Sequence, residues 1–297
     1  MAQNINIQFV FHPRFALPKM KTIMTTSQKA TRANAVTTII SSIGMLIFHK
    51  QLAAMFEMTY SWPFLVLGGV ITFFALTIFI EIRRQRALAL LWIIPQDLLF
   101  TITCLLVIVI RPFGISDIGY LMIALYILPI AFFIIYQGIG LSQLDTKKGS
   151  NIKQLTFHRV VNADIDIVWS AISDVGNYHK VAPNIDSTKI ISGHKEGMIR
   201  SCSHGKNSWT ETCTLWEDKK QYSFAVNTQA PDYPYPLKSL NGNWSVLSTT
   251  HGQTEISMVF EFEYKKQIQN ILIHPIMKRQ FTKVCRELLD NWQKMVE

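Results

Sequence analysis

The chain is short of charge, and shortest of acid where its apolar residues are densest. Only 16% of its 297 residues are Asp, Glu, Lys or Arg, against roughly a quarter in an ordinary soluble domain. Up to Ser150 the acidic residues are Glu57, Glu81, Asp97, Asp117 and Asp145. From Asn151 onward acids and bases alternate and nearly balance, so the net charge of +9 belongs mainly to the first half. Cysteine is scarce as well. Cys104, Cys202, Cys213 and Cys285 form no C-x-x-C pair and no Cys/His cluster of zinc-like spacing. A finger-type metal site is thereby excluded, and no metal or cofactor is expected. The second half carries no basic stripe, which argues against nucleic acid as a partner.

What the first half has in abundance is apolar residues in long runs. A membrane-spanning helix needs roughly twenty of them. Residues 35–56, 62–80, 87–110 and 119–136 qualify, although His49 and Lys50 interrupt the first run. Such runs are too long and too uniform for ordinary core helices, and lipid accepts only helices or closed barrels. The expected organisation is a basic tail over residues 1–34, a four-helix transmembrane domain over 35–140 and a polar linker over 141–153. Arg14, Lys19, Lys21, Lys29 and Arg32 lie in the tail, with no compact apolar core that would make it a cleaved signal. Arg83, Arg84 and Arg86 fill the loop after the second run, and Lys147, Lys148 and Lys153 follow the fourth. The other two loops offer only Lys50 and Arg111. By the positive-inside rule both termini face the cytoplasm.

Asp97 sits well inside the third run, just after Pro95 and Gln96. A charge there costs about 2.5–3.5 kcal/mol, so it must face other helices rather than lipid. It is either a proton or ligand site or a polar contact that ties helices together.

After the linker the periodicity changes. Residues 155–162 read as a strand and 165–175 as a short amphipathic helix with Asp164 as N-cap. Strand-like runs follow at 186–193, 197–204, 208–217, 221–228, 238–248 and 253–264, each closed by turn residues. In the last run Ile256, Met258, Phe260, Phe262 and Tyr264 alternate with polar neighbours, the mark of a sheet wet on one face. From His274 to Val296 an apolar stripe recurs at three- and four-residue steps. One long helix must then bury its stripe on one dry sheet face.

Several local features stand in a familiar order. They are N-A-D-I-D-I-V-W from Asn162 to Trp169, S-D-V-G-N-Y from Ser173 to Tyr178 with Ala182-Pro183, and G-M-I-R from Gly197 to Arg200. W-T-E from Trp209 to Glu211 and G-N-W-S-V from Gly242 to Val246 follow. On these motifs residues 154–297 resemble the START / polyketide cyclase / Bet v 1-like (SRPBCC) superfamily and its α+β helix-grip fold. The resemblance implies a curved antiparallel sheet wrapped on a long C-terminal helix, with an apolar cavity between them. It also implies a lipid, polyketide or other hydrophobic small molecule as partner. The helical half is outside that family and looks like a bacterial four-helix module, whose setting would be the inner membrane.

If the cavity is present, Trp209, Glu211, Tyr222, Phe224, Trp244, Met258, Phe260, Met277 and Phe281 are its expected lining. Glu211 falls at an apolar-face position, where a carboxylate needs a partner or a raised pKa. It is a ligand anchor or an acid/base of a cyclase or dehydratase, or else it pairs with a base such as Arg200 on the preceding strand. His158, His204 and His274 are isolated, and each is expected at the surface or at a cap. A membrane-anchored binding or transfer protein is the first reading. An enzyme using Glu211 ranks lower because no second catalytic residue accompanies it, and a ligand sensor is the third.

Overall fold

The computed structural model describes residues 24–249 and 252–297, so most of the expected basic tail lies outside the described residues. The helical half runs as α1 (Thr26–Ile47), α2 (His49–Met55), α3 (Trp62–Arg84), α4 (Ala87–Ile110) and α5 (Asp117–Ser142). Three of these, α3, α4 and α5, are long and apolar enough to cross a membrane. The α1–α2 pair makes a fourth candidate, bent by 84° at Phe48.

The first helix departs from expectation. It starts at Thr26, inside the region read as tail, because Thr25 and Gln28 form a capping box. Lys29 and Arg32 are therefore exposed helical residues rather than tail cations. The break after Ile47 falls beside His49 and Lys50, the two polar residues that interrupt the run. At the other end α1 touches α5 closely: a Cβ on Gly140 would lie 2.6 Å from the Ser27 Cα.

Asp97 faces other helices, as its cost demands. Its Oδ2 accepts hydrogen bonds from Asn34 Nδ2 in α1 (2.7 Å) and Gln137 Nε2 in α5 (3.1 Å). Thr38 in turn donates to the Asn34 side chain (2.9 Å). The arrangement ties three helices together, which is the structural alternative for this residue.

The second half holds β1 (Lys153–Val161), α6 (Ile165–Ile172), a helical turn at Tyr178–Lys180, β2 (Ser187–Ser192) and β3 (Ile199–His204). Then come β4 (Asn207–Glu217), β5 (Gln221–Val226), β6 (Leu237–Ser248), β7 (Thr254–Tyr264), the short α7 (Gln269–Leu272) and the long α8 (His274–Val296). The seven strands form one antiparallel sheet in the order β1-β7-β6-β5-β4-β3-β2. The alternation read in β7 holds throughout: Thr254, Ile256, Met258, Phe260, Phe262 and Tyr264 are buried and the residues between them are not. The stripe of α8 buries Met277, Cys285, Leu288, Leu289 and Trp292. Fully burying a large apolar side chain is worth about 1.5–3 kcal/mol, so α8 is held mainly by this face.

The two halves meet at a polar corner. Lys153 Nζ donates to the carbonyls of Ser142 (2.7 Å) and Leu144 (2.5 Å) and to Thr146 Oγ1 (2.8 Å). A cation thus satisfies the last carbonyl of α5 and that of Leu144 just beyond it, where the helix dipole favours it. Asp145 Oδ2 meets His274 Nε2 (2.9 Å), and Lys278 Nζ donates to Asp145 Oδ1 (2.9 Å). His274 Nδ1 lies 3.2 Å from the Tyr264 hydroxyl. His274 is fully buried, which corrects the expectation of a surface or capping histidine. Its partner lies 129 residues away in sequence, and local pattern cannot show that. Ile271 of α7 packs with Leu141 and Leu90 of the helical half.

Acid should loosen this corner. Burial lowers the His274 imidazole below its ordinary 6.5, against the pull of Asp145. The folded chain then keeps it neutral where an unfolded chain takes up a proton, so stability falls as pH drops below ~6.5. Burial alone would raise the Asp145 carboxyl, but hydrogen bonds from His274 and Lys278 outweigh it and hold it low. Its contribution is present above pH ~4 and lost beneath. Thermal unfolding of the full chain should shift to lower temperature between pH ~7 and ~5.5, and His274→Gln should flatten that shift. An unchanged pH profile in the variant would remove His274 from the account.

Candidate ligand cavity

The sequence dictates what the dry face of the sheet offers. Alternation puts Trp209, Glu211 and Cys213 of β4 on one face, and all three are buried. A β-bulge between Cys213 and Leu215 then shifts the register, so Trp216, rather than the Leu215 that strict alternation would place there, packs on the core. Tyr222 and Phe224 of β5, Trp244 of β6 and Phe260 of β7 are buried on the same core. Gly242 matters for Trp244: a Cβ there would sit 2.5 Å from the indole ring, so only glycine lets the ring lie flat against β6.

Between this face and α8 lies a cavity of about 370 Å³. Of the residues named from sequence, Trp209, Glu211, Phe224, Trp244, Phe260, Met277 and Phe281 line it. Phe281 packs edge-on against Phe260 with ring centroids 4.8 Å apart. Tyr222 and Met258 do not line it, although both are fully buried. Tyr222 is stacked between Trp244 (5.2 Å) and Trp216 (5.4 Å), and its hydroxyl donates to the Ile172 carbonyl (2.8 Å). It is core, and so is Met258.

The structure adds lining residues that the strand pattern did not reveal. Tyr178 comes from the helical turn after α6, and Tyr233 and Tyr235 come from the proline-rich segment before β6. Asn184, His204, Gln280 and Lys283 also line the space; the last three are exposed, so the cavity opens at this end. The inner wall is aromatic and the rim polar.

Glu211 has its partner, the base named from sequence. Arg200 pairs opposite it in the β3–β4 register. Arg200 Nε and Nη2 donate to Glu211 Oε2 at 2.9 and 2.6 Å, and Trp209 Nε1 donates to Oε1 at 2.9 Å. Arg200 Nη1 reaches the Val175 carbonyl (3.2 Å), and its guanidinium lies 4.0 Å from the Phe224 ring centroid. Both oxygens of the carboxylate are engaged, and Arg200 is only 1% exposed. Burial pushes the Cys285 thiol of α8 up to about 12, so it stays protonated at neutral pH and is a poor nucleophile. Burial likewise raises the Tyr233 phenol, and its hydroxyl finds no protein partner among the described residues. The cavity therefore presents apolar surface and hydrogen-bond donors rather than a set-up acid/base pair. Among the described residues no group of three His, Cys, Asp or Glu could hold a metal ion.

The buried pair sets a stability expectation. Glu211→Leu should destabilise the chain by about 3–5 kcal/mol, because it strands a buried guanidinium. The double variant Arg200→Met with Glu211→Leu should recover most of that loss in a denaturant titration. A double variant no more stable than the single one would contradict this.

Residues 154–297 match the family described as "Polyketide cyclase / dehydrase and lipid transport". No curated protein matches the chain. Among solved structures, the Zhui aromatase/cyclase from Streptomyces sp. R1128 is 14% identical. The match covers 49% of this chain and 96% of that one, with a TM-score of 0.40. XoxI from Bacillus cereus is 16% identical, covering 48% and 94%, with a TM-score of 0.39. On the family match, residues 154–297 form a domain of the polyketide cyclase / dehydrase and lipid transport family, of SRPBCC, Bet v 1-like type, joined to a helical half outside that match.

Proposed function

We propose that this chain is a membrane-anchored binding or transfer protein for a lipid or polyketide-like molecule, with the ligand held between the sheet and α8. The observation that carries this reading is the cavity itself. Its volume of about 370 Å³ lies within the ~300–1,000 Å³ usual for ligand sites, and its inner wall is built from aromatic rings. The helical half supports the membrane part. Its candidate spans leave large apolar side chains such as Phe73, Trp92, Leu99 and Val109 exposed, which lipid would cover at no cost and water would not. Arg83 and Arg84 close α3, Arg86 lies in the α3–α4 connection, and α4 begins beside α8. By the positive-inside rule these cations favour a cytoplasmic second domain.

The enzyme reading, with Glu211 as acid/base, is less favoured by the geometry. Both oxygens of the Glu211 carboxylate are already held by protein donors, Oε2 by Arg200 and Oε1 by Trp209, so the group is engaged in the wall rather than presented to a ligand.

The test uses full-length protein from mild detergent, examined by native mass spectrometry. The wild-type chain should carry about one equivalent of an apolar molecule. Val226→Trp with Val284→Phe, both directed into the cavity, should lose it while keeping the unfolding temperature within a few degrees. An empty wild-type chain, or a double variant with the same cargo, would refute the reading.

A further inference from the structure

The exposed face of α8 is basic, and it forms one wall of a second groove. Arg279, Lys283 and Arg286 are spaced four and three residues apart, so they share one helical face. The opposite wall is the first turn of α4, Arg86 to Ala89. The groove encloses about 930 Å³.

Its charges are not all compensated. Arg86 is paired with Glu81, Lys278 with Asp145, and Asp290 with Arg159. Arg279, Lys283 and Arg286 are exposed and have no ion pair or hydrogen bond among the described residues; Glu287 is the one acid beside them in the same state. Three uncompensated cations against one anion leave a site for negative charge. The groove sits where α4 begins, which is the headgroup level if α4 spans the bilayer. Lys283 lines both this groove and the ligand cavity, and its neighbour Gln280 lines the cavity mouth.

From this juxtaposition we infer that the groove between α4 and α8 binds the phosphate of an anionic membrane lipid and thereby aims its acyl chain at the cavity. The inference deepens the ligand reading above and rests on it. It specifies the headgroup class, which the apolar cavity alone does not. Phosphate is the chemistry that three mobile cations recognise as a cluster. Each cation near an anionic surface contributes roughly fivefold to binding, so removing Arg279 and Arg286 should cost at least about tenfold.

The experiment places a photo-crosslinking residue at Gln280 in the full-length chain. The protein is reconstituted in vesicles of phosphatidylcholine alone or mixed with phosphatidylglycerol. At equal mole fraction, phosphatidylglycerol should label about tenfold more than phosphatidylcholine. Arg279→Gln with Arg286→Gln, neither of which lines the cavity, should remove most of that preference and leave phosphatidylcholine labelling unchanged, which also shows that the variant is folded. Equal labelling of the two lipids by the wild-type chain, or a preference that survives the double substitution, would overturn the headgroup assignment while leaving the cavity reading intact. Millimolar inorganic phosphate that abolishes phosphatidylglycerol labelling would reassign the groove to a soluble phosphate compound. No labelling of either lipid would sink both readings together.

Discussion

One helix has to cover one face of a seven-stranded sheet, and it is too narrow to do so. Seven strands at ~4.8 Å spacing span about 30 Å, whereas a helix with its side chains is about 10 Å across. The twist of an antiparallel sheet lets it curl toward the helix, yet part of the dry face stays uncovered by α8. Near the C-terminal half of α8 that remainder is filled by α6, the Tyr178 turn and the rings of Trp244 and Trp292. Toward its N-terminal half, around Met277, Phe281 and Val284, it is the cavity.

The same helix explains how the two halves of the chain are joined. Its apolar stripe faces the sheet, its first residues hold Asp145 at the end of α5, and its basic face looks toward the start of α4. A ligand between sheet and helix would thus lie next to the helical half rather than remote from it. The Arg200–Glu211 pair sits at the inner wall of this space. A buried ion pair adds little net stability, since desolvation cancels much of the attraction. What it does here is keep polar groups satisfied in a wall that is otherwise aromatic.

The fold was legible where a single period governed a segment. The two-residue alternation of β7 and the three-to-four-residue stripe of α8 give the strand face and the helix face directly, and their boundaries agree with the structure to within a residue or two. The start of α1 was hidden because residues 26–34 are helix-competent but polar, so hydropathy alone reads them as tail. That boundary also concealed Asn34, the α1 partner of Asp97. In the site, alternation named the correct face but not the depth along the strand. Tyr222 and Phe224 share a face, yet only Phe224 reaches the cavity. Tyr233 and Tyr235 lie in a segment without periodicity, and their place was set by the fold.

The account stands on the space between the sheet and α8 being a ligand site rather than a packing fault. The direct measurement is an experimental structure of the full-length chain purified with its native lipids. Elongated non-protein density against Trp244, Phe260 and Phe281 is the expected result. Those three rings rotated into the space, with α8 closed onto the sheet and no density between them, would contradict it.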